Sequence, residues 1–223
     1  GACEQTYAWT IPTPGDNCSV STMTVSASDS SVNVIIIGPT SAFALFPVGT
    51  TTITYLVTDT NGNSATCFFD VTVTDDEDPV ITGCPSTTTV NNDPGNCDAI
   101  VNWVAPRASD NCPGVTLVST HTAGQTFPVG LTTVIYTATD ASGNSVTCTF
   151  DITVVDAEDP TVTCPGDIIV GNDPGACDAV VTFNATAGDN CPGVVLTQIA
   201  GPVSGSAFPV GSVTTITFQA TDV

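Results

Sequence analysis

The sequence predicts an all-β chain, a series of small antiparallel β-sandwiches in tandem, and three observations carry that prediction. The first is repetition. Phe46-Pro47-Val48-Gly49 recurs as Phe127-Pro128-Val129-Gly130 and as Phe208-Pro209-Val210-Gly211, both steps being 81 residues (127 − 46 and 208 − 127). A fixed step shared by many unlike residues marks tandem units. The second is alternation with period two, the signature of half-buried strands, in the segments between Gly, Pro and Asn punctuation. The third is the absence of helical periodicity. Asp78-Pro79 and Asp159-Pro160, Cys84 and Cys164, and Cys97 and Cys177 keep nearly the same step. Residues 1–75 read as a partial unit without its first strand, 76–156 as a complete unit, and 157–223 as a partial unit without its last strand. Gly1-Ala2-Cys3 matches the mid-unit Gly175-Ala176-Cys177, so the expectation is a stretch of a longer array.

The elements follow in order. Cys3, Gln5, Tyr7 and Trp9 share one face of a strand, as do Cys97, Ala99, Val101 and Trp103, and Cys177, Ala179, Val181 and Phe183. The large aromatic reads as a core anchor, with ligand stacking by Trp9 or Trp103 as the other reading. From Cys18 to Phe46 the first copy runs 28 residues (46 − 18), against 15 (127 − 112) and 17 (208 − 191) in the others. This insertion, at 19–40, contains Val32-Asn33-Val34-Ile35-Ile36-Ile37 and adds a strand or hairpin at an edge. A Thr-rich strand at 51–58 then reaches Ala65, Cys67, Phe69, Val71 and Val73 through a hairpin turn at Asp59-Thr60-Asn61-Gly62-Asn63. The middle copy repeats this with 132–139, Asp140-Ala141-Ser142-Gly143-Asn144, and the one-faced set Val146, Cys148, Phe150, Ile152 and Val154. Asn92-Asp93-Pro94-Gly95 and its copy at Asn172 read as tight turns, with Asp93 also placed to face an ion in the next linker. Short strands at this spacing mean sandwiches of the immunoglobulin or fibronectin type III kind.

Composition bounds the function. Lys and Arg total 1 against 22 Asp and Glu, for a net charge of −21. Phosphate backbones and anionic membrane surfaces need clustered cations, and Arg107 is the single one, so both are excluded as partners. No apolar run approaches the ~18 residues of a membrane span. The 10 cysteines sit at repeating positions rather than in tight Cys-x-x-Cys pairs, which points to disulfides in an oxidising, extracellular setting rather than to zinc. Catalysis has little support: His121 is the sole histidine, and the aligned position in the third copy is Pro202. The chain is read as a non-enzyme.

The ordered set Asp-x-Glu-Asp-Pro, Cys-Pro, Asn-Asp-Pro-Gly-x-Cys, Asp-Asn-Cys, Phe-Pro-Val-Gly, Thr-Asp and Gly-Asn-Ser-x-Thr-Cys resembles the hyalin repeat, or HYR domain, in its four-cysteine bacterial form. The resemblance implies an immunoglobulin-like sandwich in long extracellular arrays associated with adhesion. It is similar to the arrays of very large Bacteroidetes surface proteins, including adhesins of gliding bacteria. It also implies a Cys84–Cys148 bridge, because shorter two-cysteine relatives retain those positions, and it leaves Cys97 with Cys112, Cys3 with Cys18 and Cys177 with Cys191. The alternative of Cys84 with Cys112 and Cys97 with Cys148 stays open, and Cys67 and Cys164 then have partners elsewhere.

The chemistry expected is calcium binding at the junctions. Asp75-Asp76-Glu77-Asp78 occupies one linker and Asp156-Ala157-Glu158-Asp159 the next. In a sandwich of this type a linker shares its end with two loops, here Asp110-Asn111 with Asp140, and Asp189-Asn190 with Asp222. Carboxylate and amide oxygens from three segments suit a hard ion that takes six to eight oxygen ligands. The expected ligands are Asp76, Glu77, Asp78, Asp110, Asn111 and Asp140 at the first junction, Asp156, Glu158, Asp159, Asp189, Asn190 and Asp222 at the second, and Asp16 and Asp59 in the first copy. The competing reading is that Asp110 and Asp140 cap their turns beside a solvated acidic hinge. The function that follows is an extracellular structural or adhesive stalk, stiffened by calcium and disulfides, whose partners are neighbouring repeats and, through the Ile-rich insertion, other copies side to side. The alternative is a calcium-dependent glycan-binding module or a spacer of a secreted enzyme.

Overall fold

The computed structural model describes residues 2–17 and 19–222, and among these there are twenty strands and no helix. The first repeat contributes β1 (Glu4–Thr10), β2 (Val20–Ala27), β3 (Ile35–Ile37), β4 (Ser41–Pro47), β5 (Gly49–Asp59) and β6 (Ser64–Val73). They form two three-stranded antiparallel sheets, ordered β1-β4-β3 and β2-β5-β6. The insertion therefore does two things: it lengthens β2, and it adds β3 as an edge strand on β4.

The middle repeat holds β7 (Val80–Thr82), β8 (Thr88–Asn91), β9 (Asp98–Ile100), β10 (Arg107–Ser109), β11 (Thr116–Ser119), β12 (Thr126–Pro128), β13 (Gly130–Thr139) and β14 (Ser145–Val155). β7 pairs with β10, β9 with β12 and β11 with β13, all antiparallel, while β8 and β14 pair in parallel. The third repeat holds β15 (Thr161–Thr163), β16 (Asp178–Val181), β17 (Thr186–Gly188), β18 (Val195–Ala200), β19 (Ser206–Pro209) and β20 (Thr217–Thr221). Its pairs β15·β17, β16·β19 and β18·β20 reproduce those of the middle repeat.

By its contacts the chain divides into two compact units that do not follow the repeats. One comprises Gly1–Cys84, Pro106–Thr120 and Ile135–Cys148, and the other Pro85–Ala105, His121–Val134 and Thr149–Val223. Each unit therefore contains one linker together with the loops on both sides of it. In the first unit Ile11, Val32, Ala42, Ala44, Phe46, Ile53 and Tyr55 form the core, with Trp9, Phe69, Val71 and Val73 packed on it. The inward alternation of β6 begins only at Phe69, because Ala65 and Cys67 are exposed. β14 alternates over its whole length, burying Cys148, Phe150, Ile152 and Val154. The expected strand from Cys97 to Trp103 stops at Ile100, and Tyr7 is half exposed, stacked on Trp9 rather than buried.

The aromatics act as core anchors. Trp9 packs against Phe46 and Phe69, and its indole N–H donates to Tyr55 Oη at 2.8 Å. Trp103 packs against Phe127 and Phe150, and His121 against Phe127. Tyr55→Phe removes the acceptor of a partly buried donor and is expected to destabilise the first unit by about 1 kcal/mol, read as a lower urea midpoint with unchanged slope.

The repeated tetrapeptide also finds its role here. Its Val N–H donates to the carbonyl of the upstream cysteine, Val48 to Cys3, Val129 to Cys97 and Val210 to Cys177, at 3.4, 3.2 and 3.0 Å. The following Gly49, Gly130 and Gly211 take positive φ of 122°, 114° and 78° to turn the chain into the next strand. The motif thus fixes the cysteine that precedes it by some thirty to forty residues in the sequence.

Candidate metal and disulfide junctions

At the first junction, ligand atoms of Asp75, Asp110 and Cys112 lie within 4.8 Å of one another. Asp75 follows β6 directly, and its side chain turns inward with only 8% of the residue exposed. Its Oδ1 accepts the Glu77 N–H at 3.4 Å, whereas its Oδ2 is buried without any hydrogen-bond partner. Asn111 Oδ1, in the Asp-Asn-Cys loop of this junction, is also buried and unpartnered. Two orphaned oxygens of this kind are expensive, since a buried acceptor without a donor costs about 1–3 kcal/mol and a charged one more. Cys112 is bonded to Cys3, so the donor set left for an ion is oxygen only.

At the second junction Asp156, Asp189 and Asp222 gather in the same way, and Asn190 Oδ1 is buried without a partner. Here the turn at 92–97 and the next linker interlock. Ala157 N–H donates to Asn92 Oδ1 at 3.0 Å, Gly95 N–H to Glu158 Oε1 at 2.7 Å, and Asn190 Nδ2 to the Asn96 carbonyl at 2.8 Å. The expected approach of Asp93 to a linker ion is not seen, because its Oδ2 accepts the Ile100 N–H at 2.9 Å inside its own turn.

The expected ligands separate into two groups. Asp110, Asp156, Asp189 and Asp222 stand in the clusters, and Asn111 and Asn190 supply the orphaned amide oxygens beside them. Asp76, Glu77, Asp78, Asp159 and Asp16 are exposed on their loops. Glu158 is held by the Gly95 N–H. Asp140 and Asp59 are turn caps: Asp140 Oδ1 accepts from Ser142, Gly143 and Asn144, and Asp59 Oδ1 from Asn61 and Asn63. Asp140 nevertheless serves the first junction through Asn144, whose Nδ2 donates both to Asp140 Oδ2 at 2.8 Å and to the Asp75 carbonyl at 2.9 Å. Asp75 is the one cluster residue absent from the expected ligands. The 81-residue step from Asp75 to Asp156 is the signal that finds it.

Burial raises the Asp140 carboxyl, and the donors of Asn144, Gly143 and Ser142 together outweigh it, so its pKa lies below the ordinary 3.8. A carboxyl depressed in the folded state contributes stability that is complete above its unfolded value and is lost as pH falls through the folded one. The hairpin turn at 140–144 is therefore expected to hold at neutral pH and to loosen below about pH 3.8. Asp140→Asn should flatten that acid limb in a pH series of amide exchange at Ser142 to Asn144.

The disulfides correct the expected pairing. Cys84 is joined to Cys148, inside the middle repeat. Cys97 is joined to Cys191 rather than to Cys112, and Cys3 to Cys112 rather than to Cys18, so both bridges cross a junction. Cys177 is an exposed free thiol and is not bonded to Cys191; Cys67 and Cys164 are also free and exposed. Cys18 lies outside the described residues. The physical reason is the interlock. The turn before Cys97 docks on the Asp-Asn-Cys loop of the following repeat, which brings the Cα atoms of Cys97 and Cys191 to 4.8 Å, as for Cys3 and Cys112. Both separations fall in the range a disulfide requires.

Fold and junctions together define a class: an extended series of disulfide-linked β-sandwich repeats with oxygen-rich acidic seams. The particular family follows from comparison with known proteins. The HYR domain family matches residues 2–73, 74–154 and 155–223, and the chain belongs to it. Hyalin of Lytechinus variegatus is 37% identical over 183 residues, covering 78% of this chain and 34% of the hyalin. The rat (Rattus norvegicus) sushi, von Willebrand factor type A, EGF and pentraxin domain-containing protein 1 is 39% identical over 147 residues, covering 66% of this chain and 4% of that protein. The chain thus spans only a small part of these relatives. Among solved structures, extracellular cadherin domains 1–4 of protocadherin gamma B7 align over 92% of this chain and 67% of that one, with 14% identity and a TM-score of 0.34.

Proposed function

We propose that this chain is a segment of an extracellular structural or adhesive array, built of three units at 1–75, 76–156 and 157–223, whose junctions are held by a bound divalent cation and by inter-repeat disulfides. The observation that carries the cation is the buried, unpartnered Asp75 Oδ2 next to Asp110, with Asn111 Oδ1 orphaned in the same loop. The residues fit a hard ion: their free donors are carboxylate and amide oxygens, and the nearby sulfur is tied up in a bridge. Calcium is the ion such a set favours, since it accepts irregular oxygen shells, whereas magnesium demands a near-ideal octahedron. Asp75 and Asp110 would hold it at the first junction, and Asp156, Asp189 and Asp222 at the second.

The ion would neutralise carboxylates that otherwise repel one another and would restrict movement between a linker and its flanking loops. The four-cysteine form of the repeat supports a setting in a large bacterial surface protein of the gliding-adhesin kind. Exposed Ile35, Ile36 and Ile37 on the edge strand β3 support side-to-side association of copies. Calcium titration calorimetry on the intact chain tests the reading: saturable heat that weakens in Asp75→Asn and Asp110→Asn supports it. Absence of heat, together with no metal in the purified protein, would overturn it.

A further inference from the structure

The bridges Cys3–Cys112 and Cys97–Cys191 obey one rule: the cysteine after an Asn-Asp-Pro-Gly-type turn bonds the Asp-Asn-Cys cysteine of the following repeat. Cys177 is the third cysteine of that first kind, and it is a free, exposed thiol. Its turn is built like that of Cys97, bond for bond. Asp173 N–H donates to the Asp178 carbonyl at 2.8 Å where Asp93 donates to Asp98 at 2.7 Å. Asn172 Nδ2 donates to the Ala176 carbonyl at 2.9 Å where Asn92 donates to Asn96 at 2.8 Å. Val180 N–H donates to Asp173 Oδ2 at 3.0 Å where Ile100 donates to Asp93 at 2.9 Å. One difference remains. Asn92 is buried beneath the linker that docks on it, whereas Asn172 is exposed.

We propose that the turn at 172–177 is the docking face for a further repeat of the same kind, and that Cys177 closes a disulfide with that repeat's Asp-Asn-Cys cysteine. The occupied turn specifies what the partner must offer. An acidic linker side chain meets the glycine N–H, as Glu158 meets Gly95; a linker N–H meets the asparagine oxygen, as Ala157 meets Asn92; and an Asn amide meets the carbonyl before the cysteine, as Asn190 meets Asn96. Gly175, Asn172 and Ala176 are the corresponding groups around Cys177. Closing the bond joins two sulfurs and releases two protons and two electrons to an oxidised dithiol catalyst, which leaves as its dithiol. The inference rests on bridge geometry and is separate from the cation reading: either stands if the other fails.

The test uses the protein taken from its cells with free thiols alkylated at harvest, digested without reduction and mapped by mass spectrometry. The expected result is loss of alkylation at Cys177 and a linked peptide in which its partner cysteine follows Asp-Asn. An alkylated Cys177 would overturn the proposal, as would a bond to Cys164, to Cys191 or to any cysteine outside an Asp-Asn-Cys sequence. In vitro, the chain oxidised in a glutathione buffer should give cross-links between Cys177 of one copy and Cys18 of another, since Asp16-Asn17-Cys18 carries the partner sequence. Indiscriminate cross-linking through Cys67, Cys164 and Cys177 would contradict it.

Discussion

An oxidised chain pulled from its two ends is expected to stop extending early, even when every sandwich has been forced open. The reason is that the bridges overlap. From Cys3 the covalent path crosses to Cys112, runs back only 15 residues (112 − 97) to Cys97, and crosses to Cys191. At about 3.5 Å per residue that path stretches to roughly 60 Å, bridges included, whereas the 188 residues (191 − 3) of a reduced chain stretch to about 660 Å. Bridges confined to single repeats, Cys3–Cys18, Cys84–Cys148 and Cys177–Cys191, would leave 66 and 29 residues free (84 − 18 and 177 − 148), or about 330 Å. Force spectroscopy on the intact chain reads the difference directly. Cys97→Ser should lengthen the limit by roughly 200 Å, because the shortest remaining route from Cys112 to Cys191 runs through Cys84–Cys148. Each junction bridge should also stabilise the fold by about 2–4 kcal/mol, so reduction lowers the unfolding temperature as well.

Calcium removal is expected to have the next largest effect. At a calcium concentration a hundredfold above its dissociation constant, an ion bound only by the folded state adds about 2.7 kcal/mol. For domains of this size that corresponds to a shift of about 10 °C or more in the unfolding midpoint. The diagnostic is a change of sign in Asp75→Asn. With calcium present the variant loses a ligand and melts lower; with chelator present it no longer buries an uncompensated charge, and melts at the same temperature as the natural chain or above it. Monovalent salt separates this from general screening of the net charge of −21, because screening acts equally on both forms. A calcium effect of the same size in both proteins would show that the ion acts elsewhere.

Particular residues show how far the sequence carries the structure. β14 is legible because Val146, Cys148, Phe150, Ile152 and Val154 alternate against Ser and Thr, and period two is a local property of the chain. The turns at 59–63 and 140–144 are legible for the same reason, and Gly62 and Gly143 do adopt positive φ there. The cation cluster was legible in kind but displaced in register: the limit placed after residue 75 set Asp75 with the preceding strand, while its periodic equivalent Asp156 was retained. Asp59 and Asp140 show why composition at a loop does not name a ligand. Their carboxylates are consumed by the N–H groups of their own turns, a use of the same residue type that only geometry reveals.

The disulfide partners were not legible at all beyond Cys84–Cys148, and the cause is general. In an array, pairing within a repeat and pairing with the next repeat give the same cysteine spacing, because the pattern is unchanged by a shift of one period. Local geometry breaks the tie: Asn96 and Gly95 are engaged by Asn190 and Glu158 of the following repeat, which places Cys191 beside Cys97. The first repeat shows the converse. Its insertion was visible as extra length, but that most of it would extend β2 along β5 depends on a long-range register.

The account as a whole turns on whether the seams between repeats are covalently tied, and peptide mapping of the unreduced chain, with thiols blocked beforehand, asks this most directly. The account predicts a linked peptide containing Cys97 and Cys191 and another containing Cys3 and Cys112. Recovery of Cys97 bonded to Cys112 instead would return each repeat to an independent module and contradict it.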